Sequence, residues 1–115
     1  NNSWLLKFNA LFTRFDWLMC YGGDQTFFIE ASLFKILNGF DESMRIMEDY
    51  DLTKRAKKMG PYKIMSGYAL VSARKYETNS WYRVQKANYS IVQMYKKDAS
   101  QHEMATAYKR MLDYR

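Results

Sequence analysis

Three acidic residues lie within the four positions Glu48-Asp49-Tyr50-Asp51, and four basic residues follow between positions 54 and 58. The acids open a predicted helix from Glu48 to Met59, which Gly60 and Pro61 end. Acids at the start of a helix and bases at its end complement the helix macrodipole. Asp51 also lies four residues before Arg55, which is the spacing of an intrahelical ion pair. A structural role therefore accounts for most of these charges.

Asp49 is the acid for which chemistry is worth considering. It shares a helical face with Leu52, Ala56 and Met59, and we expect that face to be buried. A carboxylate at the head of an apolar stripe points toward the interior or a cleft. At a helix N-terminus it stays ionised at neutral pH and can accept a proton from a polarised hydroxyl. Asp49 is thus a candidate general base, with a helix cap as the alternative.

Apolar periodicity predicts four further helices that would position this turn. They run from Trp4 to about Leu18, from Ala31 to Leu37, from Ser80 to Lys97, and from Ser100 onward. Ser100 and Glu103 have the spacing of a capping box. Short β-prone runs at 26–29, 62–65 and 68–72 predict strands at the edge of a larger sheet, because they are too few to be stable alone. The expected fold class is α/β and helix-rich, in a single domain over residues 1–115.

Four motifs occur along the chain in a fixed order. They are Gly23 to Phe28, Asn38 to Glu42 together with Met47 to Leu52, Ser72 to Glu77, and Met104 to Tyr108. They resemble the GDQ, GGFdE…EDxdL, SARRWE and LarxYr signatures of family 2 glycosyltransferases, the first and the last two being typical of one bacterial subgroup. Asn38, Lys75 and Tyr76 depart from the usual residues. The resemblance implies an inverting enzyme with a partial GT-A-type fold of a few short strands and about five helices.

The resemblance also implies roles for individual residues. The aspartate of the ED pair deprotonates the acceptor hydroxyl in such enzymes, which gives Asp49 the catalytic role. The substrate-binding residues that it implies are Glu48, Asp24, Gln25, Arg74 and Lys75. Arg74 and Lys75 would face an anionic group, either the leaving diphosphate or a phosphorylated acceptor, since a guanidinium fork matches phosphate oxygens. A surface ion pair between Arg74 and Glu77 is the alternative.

A third set of implications concerns the rest of the enzyme. The resemblance makes residues 1–115 the acceptor-side, C-terminal half of a glycosyltransferase whose donor-nucleotide half lies upstream. No Asp-x-Asp metal motif precedes Gly22, so an Mg or Mn ion is expected in that upstream half and no metal ligand is assigned here. The expected donor is a nucleotide-diphospho-sugar, and the acceptor is a sugar or lipid-linked hydroxyl. The parent enzyme is expected in the cytoplasm, and this fragment alone is expected to be inactive.

Charge and amphipathicity leave a second hypothesis open. The net charge is +6, and the predicted helix from Ser80 to Lys97 places Arg83, Lys86 and Lys97 on one face, near Trp81. Such a helix is either an ordinary surface helix or one that lies on the inner face of a membrane as a peripheral contact. The alternative function is therefore a non-catalytic basic α/β module that binds anionic lipid or nucleic acid. Nucleic acid is the weaker choice, because no RNP-type strand or zinc-ligand spacing is present.

The apolar stripe from Trp4 to Leu18 is too wide to be covered from one side alone. We expect it to pack against the donor half, and we expect the isolated chain to self-associate. No segment is long and apolar enough to cross a bilayer. The lone thiol, Cys20, cannot form an internal disulfide.

Overall fold

Helices dominate the part of the chain that the computed structural model describes, which is residues 3–17, 21, 25–67, 70 and 72–113. The helices in this part are α1 (Ser3–Phe12), α2 (Ala31–Ile36), α3 (Glu48–Met59), α4 (Lys75–Thr78), α5 (Trp81–Lys96) and α6 (Gln101–Met111). Every predicted helix is present, and α3 has the predicted bounds. The short helix α4 is additional, since four residues are too few for an apolar period to show.

The expected α/β fold of GT-A type is wrong for the described residues, because none of them lies in a strand. The predicted strands at 26–29 and 62–65 are irregular segments, and part of the predicted strand at 68–72 lies outside the described residues. The physical reason is that β-prone side chains favour a strand only when a neighbouring strand accepts and donates the ladder hydrogen bonds. The described chain offers these segments no such neighbour.

The first helix is shorter than its apolar stripe predicts. It ends at Phe12, whereas the stripe continues to Leu18. The Thr13 hydroxyl donates to the Ala10 carbonyl at 2.7 Å, and the amides of Arg14 and Phe15 each bond three residues back. A threonine hydroxyl that binds a helix carbonyl competes with the helical bond at that position, which favours a tighter closing turn.

A helical hairpin of α5 and α6 contains most of the buried core. Ile91 and Val92 of α5 and Met104 of α6 are buried together with Met47, which precedes α3. A second cluster joins Val84 and Ala87 of α5 to Leu112, next to the end of α6. Val84, Ala87 and Ile91 recur at helical spacing along α5, so one face of this helix is the buried one.

The two hairpin helices begin with side-chain caps. The Ser80 hydroxyl accepts the amide of Arg83 at the start of α5. At the start of α6 the Ser100 hydroxyl accepts the Glu103 amide, and the Glu103 carboxylate accepts the Ser100 amide at 3.0 Å. The predicted capping box is therefore confirmed, and it satisfies amide donors that a helix N-terminus otherwise leaves unpaired.

Candidate functional site

The three acids of the first turn of α3 lie in different surroundings. Glu48 is exposed, Asp49 is half-buried, and the Asp51 carboxylate accepts the Arg55 Nε–H at 2.7 Å. The predicted ion pair between Asp51 and Arg55 is confirmed. Asp49 and Asp51 are both half-buried, but no described basic side chain pairs with Asp49.

The Asp49 carboxylate is partly removed from water. Burial raises its pKa above the ordinary value, the charge of Glu48 raises it further, and the hydrogen bond from the Tyr50 amide opposes both. That amide donates to Asp49 Oδ1 at 2.8 Å. A general base is most effective when its pKa approaches the pH at which it works. The surroundings of Asp49 therefore shift the pKa of its carboxylate upward, which is the direction that a catalytic base requires.

The face of α3 that carries Asp49 is buried only near its N-terminal end. Leu52 is 1% exposed, whereas Met59 is 58% exposed. The expectation that Met59 belongs to the buried face is therefore wrong. Asp49 lies at the end of α3 that is nearer to the buried Leu52.

The residue before the acidic turn, Met47, has a left-handed backbone with φ 69° and ψ 16°. This conformation is uncommon for residues other than glycine, asparagine and aspartate, and it costs free energy unless the surroundings hold it. The Met47 side chain is buried against Ile91, Val92 and Met104. Met47 makes no side-chain cap to α3, so packing in the core fixes the start of the helix and the direction of Glu48 and Asp49.

Gln101 of α6 holds the loop that leads into the acidic turn. Its Oε1 accepts the amide of Arg45 at 2.9 Å and the amide of Ile46 at 3.2 Å. These bonds join residues 55 and 56 positions apart in sequence. The C-terminal helix therefore positions the candidate base through the backbone of the preceding loop.

Arg55 connects the acidic helix to the Asn38-Gly39 turn. Its Nη1 donates to the Leu37 carbonyl at 2.6 Å, and its Nη2 donates to the Gly39 carbonyl at 2.8 Å. Asn38 and Gly39 have φ values of 58° and 64°, and this left-handed pair follows the end of α2. The helical spacing predicted only the pair with Asp51, so the link to the turn is new information from the structure.

A shallow groove of about 380 Å³ lies beside this turn. It is lined by Phe34, Lys35, Asn38, Gly39, Phe40 and Glu42. The rings of Phe34 and Phe40 meet edge to face with 5.9 Å between centroids. Two aromatic rings and three polar or charged side chains therefore line this open groove.

The predicted anion-binding pair lies on α4 and its preceding residue. Arg74 is exposed, and its amide and Nε lie 3.4 Å from the Ser72 hydroxyl. Lys75 is half-buried, with its Nζ 3.4 Å from the Tyr108 hydroxyl. Both Arg74 and Glu77 are described, and no ion pair joins them, so the alternative role of Arg74 is not supported.

The structure does not bring all the predicted site residues into contact. No ion pair or hydrogen bond among the described side chains links Glu48 or Asp49 to Arg74 or Lys75. Asp24 lies outside the described residues. Gln25 is half-buried in the segment before α2. The acidic turn and the basic pair are therefore separate features of this chain.

A polar cluster around Lys57 has no counterpart in the sequence analysis. Lys57 Nζ binds the Asp16 carboxylate, at 2.6 Å from Oδ2, and the Tyr21 hydroxyl at 2.7 Å. It also lies over the rings of Tyr21 and Tyr62, 5.3 and 5.0 Å from their centroids. The hydrogen bond to Lys57 lowers the pKa of Asp16, and the bond from Tyr21 adds to this effect. The sequence shows that tyrosine is abundant, but no local spacing in it indicates that Tyr21 and Tyr62 contact Lys57.

A divalent metal ion does not fit the described residues. They contain no group of three or more His, Cys, Asp or Glu side chains that could hold one. Asp51 is already bound by Arg55, so the Asp49-Tyr50-Asp51 sequence does not present two available carboxylates. No helix in the described part is long and apolar enough to cross a membrane.

Comparisons with known protein families, curated proteins and solved structures gave no match for this chain. The functional argument therefore rests on the geometry of the acidic turn and on the resemblance of the sequence motifs.

Proposed function

We propose that this chain supplies the acceptor site and the general base of an inverting glycosyltransferase, with Asp49 as the base. The observation that carries the proposal is the half-buried Asp49 carboxylate with a raised pKa and no basic partner among the described residues. A carboxylate that only capped its helix would be more stable when exposed to water, because burial disfavours its ionised form. The four ordered motifs that resemble family 2 signatures support the same role.

The proposed reaction is a single displacement. Asp49 takes the proton of the acceptor hydroxyl as its oxygen attacks the anomeric carbon of the donor sugar. The bond from that carbon to the diphosphate breaks, and the nucleoside diphosphate leaves with the electron pair. A positioned base typically accelerates such a step by a factor of about 100 to 10,000. The proposal assigns binding of the donor nucleotide, and of any metal ion, to residues outside the described part of the chain.

The groove beside Asn38 and Gly39 is the proposed place for the acceptor. Phe40 is exposed at its wall, and sugar rings stack on exposed aromatic faces through their apolar C–H surface. Arg55 ties this turn to α3, the helix that also carries Asp49. Arg74, Lys75 and Gln25 remain proposed substrate-binding residues, and the proposed location of the enzyme is the cytoplasm.

The test is sugar transfer by the enzyme that contains this chain, with a panel of uridine and guanosine diphospho-sugars as donors. Asp49→Asn should lower turnover by a factor of about 100 or more, because it keeps the shape of the side chain but removes its proton affinity. Glu48→Gln, in an exposed acid of the same turn that is itself a predicted substrate contact, should lower turnover less than Asp49→Asn. If Asp49→Asn kept more than about a tenth of the wild-type rate, a general-base role would be excluded.

A further inference from the structure

The N-terminal segment carries a continuous row of exposed aromatic rings. We call Phe8, Phe12, Phe15 and Trp17 the aromatic row. Successive ring centroids in it are 5.1, 6.3 and 4.8 Å apart, and the side chains are between 37% and 57% exposed. Trp4 extends the same segment and is 66% exposed. Single exposed rings are normal on a protein surface, whereas a contiguous row of this size marks an interface.

The charges of this segment favour an anionic partner. Lys7 and Arg14 are both exposed, and Asp16 is the segment's only acid between positions 3 and 17. Asp16 is bound by Lys57, so its charge is compensated within the chain. The whole chain carries a net charge of +6. Two copies that met through the aromatic row would bring these cations together, which opposes self-association and favours a negatively charged surface.

The residue types are those of a helix that lies in a lipid headgroup layer. Tryptophan prefers this layer because its ring is apolar and its N–H is polar, and here Trp4 and Trp17 stand at the two ends of the segment. Helix α1 has ten residues, about 15 Å at the usual rise per residue, so it is far too short to cross a bilayer. A short basic helix with aromatic side chains can bind in the plane of the membrane surface.

The competing helix, α5, is less suited to this role. Arg83, which the sequence places on its basic face, donates to the Met111 carbonyl at 2.6 Å and to the Asp113 carboxylate at 2.9 Å. Trp81 has its indole nitrogen buried. These two side chains are therefore engaged within the chain, whereas the rings of the aromatic row are between 37% and 57% exposed. This comparison favours α1 over α5 as the helix that contacts the membrane.

We propose that the aromatic row, together with Trp4, Lys7 and Arg14, is a docking surface for an anionic lipid membrane. The proposal goes beyond the sugar-transfer chemistry and does not need it. It assigns to a membrane the rings that the apolar stripe predicted to pack against the donor half or a second copy of the chain. Binding is expected to combine burial of the rings in the headgroup layer with attraction of the cations to lipid phosphates. Each cation contributes about fivefold to the affinity near an anionic membrane, and this contribution decreases as salt screens the charge.

The experiment is co-sedimentation of the 115-residue chain with phosphatidylcholine vesicles, with or without phosphatidylglycerol. Binding is expected only to the anionic vesicles, and it should weaken at high salt. Lys7→Gln should reduce the affinity about fivefold, and the double variant Phe8→Ser, Phe12→Ser should reduce it at least about tenfold. Tyr82→Ser is the matched control, because Tyr82 is an exposed ring on α5, and it should leave binding unchanged.

A second measurement does not depend on removing the row. In a variant that keeps only Trp17, lipids with brominated chains should quench the indole fluorescence, while a variant that keeps only Trp81 should show much less quenching. Equal binding to neutral vesicles, or equal quenching of both variants, would overturn the proposal. A concentration-dependent dimer that does not bind anionic vesicles would also overturn it, and would assign the row to a second copy of the chain. None of these outcomes depends on whether Asp49 is a catalytic base.

Discussion

Arg55 provides the sharpest test of how the candidate site is held together. Arg55→Met removes three hydrogen bonds, to the Asp51 carboxylate and to the carbonyls of Leu37 and Gly39. The pair with Asp51 has the four-residue helical spacing and is partly exposed, so it contributes about 0.5 kcal/mol. Each bond to a carbonyl contributes about 1 kcal/mol. The expected loss is therefore about 2–3 kcal/mol, a large fraction of the stability of a small domain.

Two further variants separate these contributions. Arg55→Lys keeps the positive charge near Asp51 but cannot reach both carbonyls, so it should lose about 2 kcal/mol. Asp51→Asn removes only the ion pair and should lose about 0.5 kcal/mol. Because the carbonyl bonds do not involve Asp51, most of the effect of Arg55→Met should persist in the Asp51→Asn background.

Urea unfolding, followed by circular dichroism, measures these free energies when the slope with denaturant stays constant. An Arg55→Lys variant as stable as the wild type would show that the carbonyl bonds contribute nothing. So would an effect of Arg55→Met that disappears in the Asp51→Asn background. Either result would refute the view that Arg55 joins the groove to the acidic helix.

Three other substitutions test neighbouring parts of the structure. Asp49→Asn should stabilise the fold at neutral pH, since the raised pKa of Asp49 means that folding disfavours its ionised form. This gain in stability should vanish below about pH 3.9, the pKa of an unfolded aspartate. A loss of stability at neutral pH in a pH series of melting curves would contradict this prediction. Gln101→Leu should lower the free energy of unfolding by about 1–2 kcal/mol and should speed hydrogen exchange at the amides of Arg45 and Ile46. Unchanged exchange at these amides would exclude a role of Gln101 in holding the loop. Lys57→Met should lower the free energy of unfolding by about 1–2 kcal/mol, and by less at high salt. A loss of stability that does not depend on salt would show that the ion pair with Asp16 contributes nothing.

Local features of the sequence predicted the local features of the fold. The bounds of α3 and the capping box at Ser100 both depend on residues close together in sequence, and both are confirmed. The same is true of the pair between Asp51 and Arg55. Periodicity, capping and turn chemistry act over this short range, so one sequence is sufficient to identify them.

The predictions that depend on distant partners were less successful. The strands at 26–29 and 62–65 are absent from the described residues because strand formation needs a neighbour that the pattern of one segment cannot supply. The bonds from Gln101 to the loop before α3, and from Lys57 to Asp16, join residues 41 or more positions apart. No short motif encodes such pairs. At the candidate site, the sequence identified Asp49 as unusual, but not the residues that hold its helix in place.

The concentration of the buried core in the α5–α6 hairpin has a consequence for the order in which the site assembles. The core residues Val84 to Leu112 are close together in sequence, so few long loops must close before they meet. Met47 belongs to the same core but reaches it from a distant segment, and this packing, together with the Gln101 bonds to the two preceding amides, holds its left-handed backbone. We therefore expect the hairpin to form first and to act as the template on which the acidic turn folds. During synthesis, the candidate base would then gain its final geometry only after the last helix had been made.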